Sequence, residues 1–282
     1  MPDWLGRRLQ GGWPLADILL EVCVDGPEGL RAAIAGGAGR VELCAALPLG
    51  GLTPSEGLMQ AAGRTGMACL AMIRPRAGDF IYTAAEVAVM RADIRAARRA
   101  GLVGVVFGAS RADGRLDGAV LAALLDEARG LDVTLHRAID LCPDIPEAVD
   151  LAVALGFRRI LSSGGAQTAP EGVAMLAAMM VRAGGCIIMP GAGVTVESLP
   201  ALARLPLREV HASCGVPVPA GTRETAFGFQ PASQRQTDSA CVAALKAALA
   251  GLAQPPKGLT CAPFPVESAA NERAGDGDQC KL

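Results

Sequence analysis

The sequence predicts an α/β protein built as a single (β/α)8 TIM barrel, and three observations carry that expectation. Eight short apolar runs recur along the 282-residue chain, with starts 22 to 36 residues apart; one βα unit occupies about that length. Polar and charged side chains gather at the C-terminal ends of these runs, where this architecture places its chemistry. No glycine-rich dinucleotide fingerprint follows the first run, which disfavours the doubly wound open sheet, the rival that also alternates strand and helix.

The eight strands are expected at Ile18–Val22, Arg40–Leu43, Ala68–Ile73, Gly104–Phe107, Asp132–His136, Arg159–Ser162, Cys186–Met189 and Glu209–Ala212. Helix start signals lie between them. Thr53-Pro54-Ser55-Glu56, Thr83-Ala84-Ala85-Glu86 and Thr168-Ala169-Pro170-Glu171 read as capping boxes, in which a hydroxyl and a carboxylate satisfy each other's free backbone N–H groups. Pro54 is expected at the first helical position, where its missing N–H costs nothing. After Thr83, the residues Val87, Met90, Ile94 and Ala97 form an apolar stripe at helical spacing that should pack on the barrel. Asp117 caps a helix running to about Arg129, Pro146 opens the next, and a last helix spans Asp238–Leu252. Gly101, Gly130, Gly156 and Gly184 stand where helices should stop. Residues 1–15 read as an irregular lead-in, 16–252 as the barrel domain, and 253–282, rich in Pro, Gly and polar residues, as a flexible tail.

Composition narrows the function. Hydrophobic residues make up 51% of the chain and net charge is −2, so a large core is available and no basic excess points to nucleic acid. No apolar stretch is long enough to span a membrane. Lysines occur only at 246, 257 and 281, which leaves Schiff-base catalysis almost without a candidate. The nine cysteines show no CxxC and no zinc-finger spacing, and a chain of this length is no disulfide scaffold; a reduced, cytoplasmic protein is expected.

Strand side chains alternate faces. One consistent choice of face puts Glu21, Glu42, Arg74, His136 and His211 inside the barrel mouth. Charges buried there need partners, so Arg74 is expected to bridge one or both glutamates. Both histidines of the chain fall on this rim. The same parity joins Cys23 to Glu21 and Cys44 to Glu42. Adjacent parallel strands lie about 4.8 Å apart, so equivalent strand ends would bring the two sulfurs to either side of one soft ion such as Cu(I); a disulfide is the alternative that a reducing compartment disfavours. His211 is a weaker third donor, and Cys214, of opposite parity, a weaker one still. Cys69, Cys142, Cys186, Cys241, Cys261 and Cys280 have no comparable partner and read as core or tail residues. Gly50-Gly51, Gly164-Gly165 and Gly191-Ala192-Gly193 follow strands; they serve as turns or, after the sixth and seventh strands, as backbone donors to an anion.

Several of these motifs together resemble the CutC copper-homeostasis family. They are Glu21-Val22-Cys23-Val24-Asp25, Gly36-Gly37-Ala38, Arg40-Val41-Glu42-Leu43-Cys44, Gly50-Gly51-Leu52-Thr53-Pro54-Ser55, Met72-Ile73-Arg74-Pro75-Arg76-Ala77-Gly78-Asp79-Phe80, His136-Arg137-Ala138, Ser163-Gly164-Gly165 and His211-Ala212-Ser213. The resemblance covers roughly residues 18–214. It departs at Gly39, where the family usually has Asp, at Ile139 (Phe) and at Ser162 (Thr), none of them a metal-ligand position. It implies a TIM barrel, a cytoplasmic homo-oligomer and a role in copper homeostasis, with Cu(I) on the cysteines that match Cys23 and Cys44. It attaches no reaction to the chain, and the reading leans to a binding protein rather than an enzyme. The alternative is a lyase, isomerase or hydrolase acting on a small anionic metabolite. Arg74 and the Gly164 and Gly191 loops would then bind the anion, and His136 or His211 would be the general base.

Overall fold

A computed structural model of the chain describes residues 17–252; the expected lead-in 1–15, the tail 253–282 and Cys261 and Cys280 lie outside the described residues. Eight parallel strands form the centre: β1 Leu19–Val24, β2 Arg40–Leu43, β3 Cys69–Met72, β4 Gly104–Phe107, β5 Asp132–Leu135, β6 Arg159–Ser162, β7 Ile187–Pro190 and β8 Glu209–Ala212. Hydrogen-bonded neighbours run β7-β6-β5-β4-β3-β2-β1-β8, and β7 packs beside β8, so the sheet curls into a nearly closed barrel. Every strand lies within two residues of its expected window. The open doubly wound sheet is thereby excluded.

The strands are buried on both faces, for different reasons. Outward residues such as Val22, Val24, Val41 and Leu43 are fully sealed in the main apolar core beneath the helices α1 Pro27–Ala35, α2 Glu56–Gly63, α3 Ala84–Arg99, α4 Gly118–Glu127, α5 Ile145–Leu155 and α6 Val173–Arg182. In α3 the Thr83–Glu86 capping box forms on both sides, and Met90, Ile94 and Ala97 are completely buried. Burial of a Met or Ile side chain contributes about 1.5–3 kcal/mol each, so this stripe fixes how the helix lies on the sheet. Asp117 caps α4 by accepting from the amides of Ala119 and Val120.

Two helix starts differ from expectation. Ser55, not Thr53, caps α2, accepting from Leu58 N–H; the Thr53 hydroxyl instead accepts from Arg74 N–H and ties the loop to β3. Thr168 N–H donates to Glu171, half of a capping box, but α6 begins only at Val173, because two turns intervene with Gly172 at the cap.

On either side of β8 the chain adds elements that the sequence analysis does not contain. A four-residue helix, α7 Leu199–Leu202, precedes β8. An antiparallel hairpin, β9 Gly215–Val218 with β10 Gln234–Thr237, encloses α8 Thr222–Ala226. Pro217 and Pro219 interrupt the first strand's pattern and the second strand is wholly polar, so neither gives the signal of a buried strand. The hairpin leads into α9 Ser239–Leu252, which buries Val242, Leu245 and Leu249. No helix among the described residues is long and apolar enough to cross a membrane.

Candidate functional site

A cavity of about 740 Å³ opens at the C-terminal ends of the strands. Cys23, Glu42, Arg74, His136 and His211 all line it. Glu21 lies directly beneath and is fully buried. The strand parity read from the sequence therefore holds for these six side chains. Hairpin β9–β10 and α9 wall the rim, bringing in Val216, Arg235 and Cys241; Cys241 thus belongs to the mouth and not to the core or tail.

The charge pairing differs from expectation. Arg74 reaches neither glutamate. Its guanidinium donates to the carbonyls of Leu49, Gly51 and Gly78 at 2.8, 3.1 and 2.8 Å, because the loop after β2 folds over β3 and presents those oxygens first. The bridging arginine is Arg40, two residues before Glu42 on the same face. It pairs with Glu21 and Glu209. Arg159 continues the chain, donating to Glu209 at 2.8 Å, Thr134 at 3.1 Å and Asp132 at 3.0 Å. An alternating ladder thus fills the lower barrel. The sequence reading missed it although the signal was present: Arg40, Asp132, Arg159 and Glu209 are each the first residue of an otherwise largely apolar strand.

Above the ladder sits His211. Its Nδ1 lies 2.8 Å from Glu21 Oε1 and its Nε2 lies 3.8 Å from Glu42 Oε2. Burial works against charging the ring, but the charges and hydrogen bonds of Cys23, Glu42 and Glu21 outweigh it and hold the His211 pKa well above the usual value. Burial likewise pushes the Glu21 carboxyl up, yet the hydrogen bond from His211 and the charge of Arg40 bring it down to about 2. Glu42, fully buried and beside Glu21, is held above the ordinary carboxylate range despite His211. One ligand atom each from Cys23, Glu42 and His211 lie within 4.8 Å of one another.

Cys44 is placed differently. The β1–β2 register pairs Cys23 with Glu42, so the two cysteines do not occupy equivalent strand ends; Cys44 stands two residues further along. It is completely buried in a small cluster with Leu70, Met72 and Val106, and its thiol donates to Glu42 Oε2 at 3.6 Å. Burial, followed by the charge of Glu42, pushes the Cys44 thiol well above its usual pKa. Both cysteines are free thiols.

The acceptor nitrogen of neutral His136 is already engaged within the protein. Its Nδ1 accepts from Ala138 N–H at 3.1 Å, which leaves the proton of the neutral ring on Nε2. Burial and then the charge of Arg74 lower its pKa to about 3. The Gly164-Gly165 loop is also spoken for. The amides of Ser163 and Gly165 donate to the Asp140 carboxylate, and Gly164 N–H to the Ser162 hydroxyl; a side chain of the protein occupies the anion position there. Backbone strain gathers at the mouth instead. Ala46, Ala192 and Cys214 are non-glycine residues with φ of 49°, 71° and 46°, a left-handed conformation costing about 1–2 kcal/mol each, and the last two line the cavity.

Comparison with known proteins gives a consistent picture. The CutC family model matches residues 18–216. A CutC family protein of Sinorhizobium medicae is 57% identical over 239 residues, covering 84% of this chain and 98% of its own. One from Caulobacter vibrioides is 51% identical over 240 residues, covering 83% and 98%. Among solved structures, a CutC protein of Streptococcus agalactiae, assigned provisionally to copper homeostasis, superposes with a TM-score of 0.66 at 32% identity, over 70% of this chain and 98% of its own.

Proposed function

The chain belongs to the CutC family, and from that premise we propose that it acts in copper homeostasis, holding one Cu(I) per chain at the barrel mouth through Cys23 and Cys44 with His211 as a third donor. The observation that supports this reading is the close approach of Cys23, His211 and Glu42 on one wall of the cavity. A thiolate and an imidazole nitrogen suit a soft cation. The Glu21 contact at His211 Nδ1 fixes the ring so that Nε2 is turned toward Glu42, the carboxylate–histidine arrangement that orients metal-binding imidazoles. In this reading Cys44 exchanges its bond to Glu42 for the ion, Cys23 gives up its contact with the Ala212 carbonyl, and both thiols and His211 Nε2 release protons on loading.

The test is anaerobic Cu(I) titration against a competing chelator. About one equivalent per chain is expected, with affinity greatly weakened by Cys23→Ser or Cys44→Ser and modestly by His211→Ala. Unchanged affinity in the Cys23→Ser/Cys44→Ser double variant overturns the site. A loss with Cys23→Ser but none with Cys44→Ser overturns the two-sulfur form and leaves Cys23 and His211 as the donor pair.

A further inference from the structure

Arg74 is a buried cation without a counter-ion. It is 6% exposed, and among the described residues no carboxylate lies within ion-pair distance of it, in contrast to the ladder arginines. Three backbone carbonyls take its terminal nitrogens, but its Nε has no hydrogen-bond partner and is sealed from solvent. Carbonyl dipoles solvate a guanidinium without neutralising it, and a buried charge left unpaired costs several kcal/mol.

Two neighbours share this condition. His136, 3% exposed, has no partner for Nε2, the nitrogen that its Ala138 contact marks as the N–H donor. Glu42, equally buried, has no partner for Oε1. Arg74 and His136 meet at one aromatic ring: Phe80 lies 4.7 Å from the His136 ring and 5.0 Å from the Arg74 guanidinium carbon. Gly108 clears the other side of the imidazole, since a Cβ there would come within 2.5 Å of it. All three side chains line the same cavity, whose volume exceeds that needed by a metal ion and suits a small organic molecule. Two orphaned donors beside an uncompensated positive charge ask for a singly charged oxyanion with two acceptor oxygens. An orphaned carboxylate oxygen nearby asks for a hydroxyl.

We propose that the barrel mouth binds a small hydroxycarboxylate, its carboxylate on Arg74 Nε–H and His136 Nε2–H and its hydroxyl on Glu42 Oε1. The site needs no copper and uses neither cysteine. These atoms are sealed in the free chain, so the three side chains turn toward the cavity as the ligand enters, and binding then satisfies groups that are already desolvated.

The experiment is calorimetric titration of the full-length, metal-free chain with glycerate, propionate, glycerol and inorganic phosphate. Glycerate should bind, propionate more weakly for lack of hydroxyls, and glycerol not at all for lack of charge. His136→Asn keeps an acceptor for Ala138 N–H, since Asn is a good cap, but removes the Nε2 donor; glycerate affinity should fall about tenfold or more with the melting temperature of the free chain little changed. Arg74→Lys keeps the charge, loses the Nε–H donor and should fall similarly, which preserves the test if the Asn variant does not fold. Glycerate binding by the metal-free chain separates this site from the copper reading, since no copper is then present to support it. No glycerate binding, equal binding by wild type and both mouth variants, or tighter binding of phosphate than of glycerate overturns the proposal.

Discussion

Arg159 and Arg74 are both arginines closed inside the same barrel, 1% and 6% exposed, and their surroundings treat charge in opposite ways. Every nitrogen of Arg159 donates to a side-chain oxygen, two of them to carboxylates. Arg74 meets only backbone carbonyls and keeps one donor unused. The lower layer, from Glu21 through Arg40 and Glu209 to Arg159 and Asp132, pairs every charge within the chain itself; Asp132 Oδ1 alone accepts no hydrogen bond and has Arg158 Nε at 3.8 Å. The upper layer of Arg74, His136 and Glu42 is incomplete. Interiors that only need to be stable satisfy their polar groups; a layer that leaves three of them unsatisfied around a cavity is built for something that enters from outside.

The contrast can be broken experimentally. The largest effect is expected from Arg159→Met, which takes from Asp132 its hydrogen-bonded arginine and leaves Glu209 with Arg40 alone, and should lower unfolding free energy by about 3–5 kcal/mol in denaturant titration; a loss below about 1 kcal/mol would mean that pairing does not hold the lower layer. Arg74→Met should cost less. It frees the carbonyls of Leu49, Gly51 and Gly78, about 0.5–1.5 kcal/mol each, but it also removes an uncompensated charge, which offsets part of that loss. A cost equal to that of Arg159→Met would erase the distinction between the layers.

The two layers also separate on a pH axis. His136 has a folded pKa of about 3 against an ordinary value of 6.5. The unfolded chain therefore binds a proton that the folded chain refuses, and stability falls as pH drops from about 6.5 towards 3. Glu21, at about 2 against 4.5, stabilises the fold above its unfolded pKa, and that contribution is lost between about pH 4.5 and 2. His136→Asn should remove the first decline in melting temperature and leave the second. Smallest of all is Ala192→Gly. It relieves a left-handed alanine at some cost in chain entropy and should stabilise by about 0.5–1 kcal/mol; destabilisation would show that the Ala192 methyl group packs usefully in the mouth.

The barrel itself was legible because its strands are apolar runs at regular spacing, and helix caps such as Thr83 and Asp117 are local signals that act where they are written. The faces of Glu21, Glu42 and His211 followed from parity alone. Partners did not. Arg40 and Arg74 are both inward arginines near β-strand glutamates, and which of them pairs depends on the stagger between strands and on where the loop after β2 lays its carbonyls. The same stagger separates Cys23 from Cys44, which sequence spacing alone made to look equivalent. The hairpin after β8 stayed hidden because its proline-bearing and wholly polar strands rely on tertiary packing instead of on a buried apolar face.

The ladder carries a consequence for how the chain is made. Arg40 shares its charge with Glu209, 169 positions later, and Arg159 waits for the same carboxylate 50 positions on. During synthesis, β2 through β7 emerge before the carboxylate that both arginines share. A partial barrel on the ribosome thus holds Arg40 with Glu21 alone and Arg159 with Asp132 alone, two separate pairs that only Glu209 joins into one ladder. Domains tend to fold as units once their sequence is available, and here the last strand of the barrel acts as the signal that the unit is complete.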